Sequence, residues 1–300
     1  MNKTRKNIGV IDRISQFIFL TCALVSVIAV ISITAFIFFK GIQPFIKGNI
    51  EGNYSIVKFL TGDMWKPSQN IYGIGYMIVA SVFATIGALF IGVPISLFTA
   101  VYISKFARKK IAIMLRTVIE LLASIPSVLF GVFGYTVIVS LVRIISPFQV
   151  GDSLLSVIVV LSIMILPTIV SISESAISAV PKSYIEASYG LGATKTETVF
   201  KIILPAAKSG IFSAIVLGIG RAIGETMAVI LVAGNPEQNF PTSLFDKVRL
   251  ITNNIVLEQG YASGLHEEML FATGAVLFIF IIIVNLILLK IRKGSDNYAK

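Results

Sequence analysis

Residues 16–39 read QFIFLTCALVSVIAVISITAFIFF, a run without a single acidic or basic side chain. About 20 consecutive apolar residues are enough to cross the hydrocarbon core of a bilayer, so this stretch is long enough to span it. The run also exceeds the roughly 7–15 apolar residues of a cleaved secretory signal, and it reads as a retained helix. Cys22 lies inside it, and the apolar character continues well past that residue, which argues against a lipid-attachment site. Cys22 is the only cysteine, so the chain forms no internal disulfide and its redox compartment stays open.

Five more runs of the same kind follow, at about 74–103, 118–142, 153–172, 211–233 and 270–290. The whole chain is 56% hydrophobic and 13% charged, against about 25% charged in an ordinary soluble domain. That is too little charge to cover a water-exposed surface. In lipid each run must be helical, because backbone groups left unpaired there cost several kcal/mol apiece. The expected fold class is an all-α integral membrane protein with six transmembrane helices.

The formal net charge of +10 would suggest nucleic acid on a soluble protein. Here the charges flank the apolar runs, and topology explains them better. Lys and Arg concentrate before residue 16, in the loops 104–117 and 173–210, and from Lys290 onward. The positive-inside rule then places both termini in the cytoplasm. The outer segment 40–73 carries Trp65, expected as an interfacial anchor. The outer segment 234–269 holds Pro236, Pro241, Gly260 and Gly264 and is not another span. No soluble domain, low-complexity stretch or fixed-period repeat is visible.

Two features carry the functional reading. On the cytoplasmic loop 173–210, Glu186-Ala187-Ser188 is followed after three residues by Gly192, and after nine more by Ile202-Ile203-Leu204-Pro205. This pattern predicts helix, glycine break, helix and proline stop. Such a short amphipathic pair must bury its apolar face, either on lipid or on a partner protein. The second feature is Arg221 with Glu225 inside the fifth run. Four residues apart on a helix, they would share one face. A charge deep in a span costs at least about 2.5–3.5 kcal/mol on insertion scales, so it should face the protein interior or a water-filled path. The pair is either a self-satisfying ion pair or part of an anion pathway in which Arg221 attracts and Glu225 positions or releases the anion. Gly220 and Gly224 form a Gly-x-x-x-Gly pair that permits close helix packing. Near the cytoplasmic boundary, Glu120 follows Arg116 by four residues and is expected to form an interfacial ion pair with it, the alternative being a gating role.

Other motifs fail on inspection. Gly190 to Thr196 lacks the Gly-Lys-Ser/Thr of a phosphate-binding loop, and no other such loop is present in the sequence. His266 is the only histidine, which excludes a paired-histidine zinc site. No cofactor, metal or catalytic constellation is expected, and the chain does not read as an enzyme.

The spacing of the 186–205 loop resembles the "EAA" loop of ABC importer permeases, with Ser188 in place of the second alanine. Residues 120–128 (ELLASIPSV), 221–235 (RAIGETMAVILVAGN) and the segment from Asn253 through Gly260 to Gly264 and His266 resemble the phosphate-importer permeases of the PstC type. The similarity covers roughly residues 60–290. It implies a type I importer (MetI-like) core over residues 71–292, after an N-terminal helix and external loop at 1–70 and before a cytoplasmic tail at 293–300. It also implies coupling to an ATPase through Glu186, Ala187, Ser188, Gly192, Leu204 and Pro205. The substrate implied is inorganic phosphate. The partners implied are a PstA-like second permease, PstB-like ATPase subunits and a PstS-like extracytoplasmic phosphate-binding protein. The alternatives are the same kind of importer for another oxyanion, sulfate or molybdate, or an ion-coupled secondary transporter.

Overall fold

The computed structural model describes residues 2–46 and 54–297; residues 298–300 of the expected tail lie outside it. Helix α1 (Asn2–Ile46) leads to the short α2 (Ile56–Thr61) and to a small antiparallel hairpin of β1 (Trp65–Lys66) and β2 (Ile71–Tyr72). The body follows as α3 (Gly75–Val101), α4 (Lys109–Ser124), α5 (Ser127–Phe133), α6 (Val139–Ile145) and α7 (Leu154–Ser178). Then come α8 (Lys182–Gly190), α9 (Lys195–Thr198), α10 (Leu204–Gly224), α11 (Met227–Ala233), α12 (Ile251–Gln259) and α13 (Leu265–Asn297). Among the described residues, six stretches are long and apolar enough to cross a membrane: Asp12–Ile46, Gly75–Phe106, Ser127–Ile145, Leu154–Ser178, Lys195–Gly224 and Leu265–Lys290.

Two spans differ from expectation. The third does not run through 118–142. Pro126 has no N–H to donate and pushes the residue before it out of helical geometry. Ile125 is accordingly extended (φ −66°, ψ 127°), so α4 ends at Ser124 and the span starts afresh at Ser127. The fifth does not run through 211–233. Helix α10 ends at Gly224, Glu225 is extended (φ −73°, ψ 127°), and the separate helix α11 begins at Met227.

At its other end the fifth span is longer than the apolar run suggests. Pro205 was expected to stop a helix, yet Lys195–Gly224 is continuous. A wide π turn over Val199–Ile203 precedes it, with the Leu204 N–H reaching back to the Val199 carbonyl. Widening the turn where an N–H is missing removes the clash a proline would make in a regular helix.

The spans pack around α7, the most enclosed of them, whose partners are α3 and α10. Small residues set these distances. A Cβ on Gly218 of α10 would lie 2.7 Å from the Ile169 side chain of α7, and one on Gly92 of α3 would lie 2.7 Å from Ile165. Helix α1 lies along α13, with Phe36 edge-on to Phe271 and Gly41 almost touching the Ala272 backbone. The restarted helices α5 and α11 pack on each other at Gly131, where a Cβ would lie 2.9 Å from the Ala228 Cα.

That contact gives a direct test. Overfilling a packed site typically costs about 1–3 kcal/mol. Gly131→Val should lower the thermal unfolding temperature of the detergent-purified chain. Gly260→Ala should leave it unchanged, because nothing lies within 4 Å of a Cβ there. Equal melting of Gly131→Val and the parent would contradict the close approach of α5 and α11.

Candidate functional site

Arg221 lies in the last turn of α10, half-buried, and its Nη1 donates to the Thr168 Oγ1 of α7 at 3.0 Å. Glu225 does not join it. With the helix ended at Gly224, the two no longer share a face, and among the described residues neither makes an ion pair. Glu225 instead turns toward the restarted helix, where its Oε1 accepts from the Ala228 N–H at 3.3 Å. Its backbone carbonyl accepts from the Thr252 hydroxyl of α12 at 3.3 Å. Sequence spacing predicts an i, i+4 pair; the break converts it into an arginine held by a neutral hydroxyl and a glutamate used as a helix cap. Gly220 and Gly224 also depart from the expected packing role. Both are exposed, and a Cβ on either would meet nothing within 4 Å, so they border open space beside Arg221.

The cytoplasmic loop folds as its spacing predicts up to Gly192. Helix α8 carries Glu186, Ala187 and Ser188, and Gly192 takes the left-handed conformation at φ +83°, where a side chain would be strained. Helix α9 then starts with a capping box: Glu197 N–H donates to the Thr194 hydroxyl, and Thr194 N–H donates to Glu197 Oε2 at 3.0 Å. Ser188 is buried, and its hydroxyl bonds the Thr198 hydroxyl at 2.9 Å, tying α8 to α9. A groove of about 660 Å³ opens beside this joint, lined by Tyr184, Ala187, Ser188, Leu191, Gly192 and Ala193 among others. Leu191 is 90% exposed at its edge. Glu186 and Pro205 are exposed, while Leu204 packs half-buried against the cytoplasmic end of the core.

The sequence pattern described as "binding-protein-dependent transport system inner membrane component" matches residues 92–294, more than half of the chain. The chain belongs to this family. This permease is 37% identical over 278 residues to the probable ABC transporter permease protein YqgH of Bacillus subtilis, covering 90% of this chain and 88% of that protein. It is 34% identical over 262 residues to the phosphate transport system permease protein PstC of Pasteurella multocida, covering 80% and 82%. In structure it is similar to the bacterial alginate ABC transporter solved in complex with an alginate pentasaccharide-bound periplasmic protein. The TM-score there is 0.61 at 18% identity, with 94% of each chain covered. The inward-facing MetNI methionine ABC transporter gives a TM-score of 0.56 at 19% identity, covering 74% of this chain and 94% of that one. At such identities the likeness concerns the fold alone; the family match and the six apolar spans make the chain an all-helical type I ABC importer permease core in a multi-pass inner-membrane protein.

The permease also has polar groupings that sequence spacing does not announce. Arg116 pairs with Glu174 of α7 at 2.6 Å rather than with Glu120 on its own helix, because α4 lies across α7 and Glu174 faces it. On the outer side, Arg249 and Glu258 form a buried ion pair, and Tyr261 donates to the second oxygen of Glu258 at 2.8 Å. His266 Nε2 stands 3.4 Å from that same oxygen. Burial, and then the hydrogen bond its O–H donates to the Glu258 carboxylate, raise the Tyr261 phenol above its ordinary range. Trp65 is fully buried beside this group, edge-on to Tyr72, and is no interfacial anchor; the β1–β2 hairpin folds it inward. The members of the group come from four separated stretches of chain, so no local periodicity could reveal them.

The buried pair is open to measurement. Removing one partner of a buried ion pair leaves the other uncompensated and costs about 3–5 kcal/mol. Glu258→Ala should therefore sharply lower the yield and thermal stability of the permease. Lys201→Ala, which removes an exposed partner of Glu197, should leave both unchanged. Normal stability of Glu258→Ala would show that Arg249 reaches water in solution.

Proposed function

We propose that this permease carries inorganic phosphate into the cytoplasm as one of two permease subunits of an ABC importer. The observation that carries the substrate class is its similarity over four-fifths of its length to a protein named as a phosphate transport permease. ATP is hydrolysed by separate PstB-like subunits, the second permease is PstA-like, and phosphate arrives on a PstS-like extracytoplasmic binding protein. The groove between α8 and α9, with Glu186, Ala187, Ser188 and Gly192, and with Leu204 and Pro205 where the loop joins the span, is the docking and coupling surface for the ATPase.

Arg221 is the fixed positive charge on the path. A phosphate crossing the membrane must shed water, and a guanidinium in low dielectric offsets that loss with charge and with a planar fork of donors. Glu225, four residues on, holds the break open and adds a negative charge that keeps an arginine site from binding too tightly for release. The bare surfaces of Gly220 and Gly224 leave room for the anion alongside.

Two experiments test this. Arg221→Ala should abolish uptake of radiolabelled phosphate into membrane vesicles while leaving co-purification with the ATPase intact. Its partner Thr168 is neutral, so the substitution strands no buried charge. Loss of the protein from the membrane, or normal uptake, would overturn the pathway role. Gly192→Val should lower uptake and ATPase pull-down together at normal membrane levels, since valine is strained at φ +83°. Normal pull-down with normal uptake would remove the coupling assignment.

A further inference from the structure

Thr168 follows Pro167 in α7, and the guanidinium of Arg221 donates to its hydroxyl across the α7–α10 contact. We propose that Thr168 is the positioning residue that aims Arg221 into the passage; this rests on the pathway role of Arg221 given above.

The first ground is where the helices meet. Gly218 lies one turn before Arg221, and the absence of a side chain there lets α10 come within 2.7 Å, measured from a Cβ, of Ile169. Ile169 is the neighbour of Thr168 in sequence. The two helices thus approach closely at the level where a short hydroxyl can reach a guanidinium.

The second ground is the kind of partner. A long, flexible arginine needs a fixed acceptor if its fork is to present one face. A carboxylate would fix it but cancel its charge, as at Arg116 with Glu174 and at Arg249 with Glu258. A hydroxyl fixes it and leaves the charge whole. One of the five guanidinium N–H donors is used on Thr168, and the others remain for the bidentate grip that a tetrahedral oxyanion accepts. The hydroxyl is itself constrained, because the β-branched threonine side chain has few χ1 rotamers in a helix. Among the described residues its own proton goes to no protein acceptor, so it remains available to an oxygen of the same anion.

The test uses the full importer in membrane vesicles, with radiolabelled inorganic phosphate as the probe and uptake scored per assembled complex. Thr168→Val keeps the shape and loses the acceptor; Thr168→Ser keeps the acceptor. Thr168→Val should slow uptake by on the order of tenfold or more, the scale of a hydrogen bond to a charged group. Thr168→Ser should restore it to within about twofold, the small remainder reflecting its looser rotamer. Arg221→Ala is measured in parallel. If Arg221→Ala abolishes uptake while Thr168→Val is silent, the positioning role alone falls. If Arg221→Ala is silent, the pathway reading falls and this inference with it. If Thr168→Val fails to assemble while Thr168→Ser assembles, or if Thr168→Ser is as slow as Thr168→Val, the hydroxyl is a packing group and the inference is overturned.

Discussion

A helix that stops at membrane depth exposes N–H and C=O groups with no water to receive them, and each one left bare costs several kcal/mol. The permease contains two interruptions inside apolar sequence, at Ile125-Pro126 just before the third span and at Glu225-Thr226 just after the fifth, and its architecture depends on how they are covered. The second is stitched by side chains: Glu225 accepts from Ala228 N–H, and Thr252 donates to the Glu225 carbonyl. The first reuses its own backbone, with Leu129 N–H donating to the Pro126 carbonyl at 3.0 Å. The helices that restart after the two breaks then bury each other at Gly131 and Ala228. Irregular backbone survives at membrane depth where protein covers it or where it borders a cavity, and here Gly220 and Gly224 mark the open side.

The fifth span joins this region to the cytoplasmic loop without a flexible link. Lys195–Gly224 is 30 residues of continuous helix, which at about 1.5 Å per residue is a rod of roughly 45 Å. Its cytoplasmic tip carries the capping box of Thr194 and Glu197 and the Ser188–Thr198 bond to α8; its far end carries Arg221. The π turn at Val199–Ile203 lets Pro205 sit inside the rod instead of ending it. A displacement of α9 is therefore geometrically tied to the turn that bears Arg221. A glycine hinge between the two would lose that connection, and Gly192 stands on the loop side of α9, outside the rod.

The spans were legible in the sequence because hydrocarbon imposes a length and a composition that few charges can violate. The Gly192 turn was legible for a local reason: one residue had to accept a left-handed backbone, and glycine does so without strain. The break at Glu225 was not legible. The apolar pattern runs on through Met227–Ala233, and glutamate is an ordinary helix former, so nothing local outweighs continuity. The end is covered from a distance in sequence, by the Thr252 hydroxyl of α12 on the Glu225 carbonyl. The pairing of Arg116 was misread for a similar reason, since a candidate on its own helix is nearer in sequence than Glu174 but not nearer in space. Ser188 stands where the loop it resembles has an alanine; its bond to Thr198 depends on the angle between two short helices that spacing does not specify. The Arg249–Glu258 group with Tyr261, His266 and Trp65 lay outside any sequence argument, because its members meet only when the outer loops fold together.

Among the described residues, three arginines bond to side chains from other elements, and one of the three has a neutral partner. Arg116 and Arg249 each meet a glutamate, and in each pair the two charges cancel locally. Such a pair holds two elements in register and offers little field to a passing ion. Arg221 meets a threonine. The arrangement is less stabilising than an ion pair of the same geometry, since the cost of bringing a cation into the span is not offset by an anion of the protein. A fold that needed only stability would place a carboxylate on α7 at position 168 or leave the arginine out. A positive charge that is held in direction but not neutralised is what an anion pathway requires, because the missing counter-charge is then supplied by the substrate for as long as it stays.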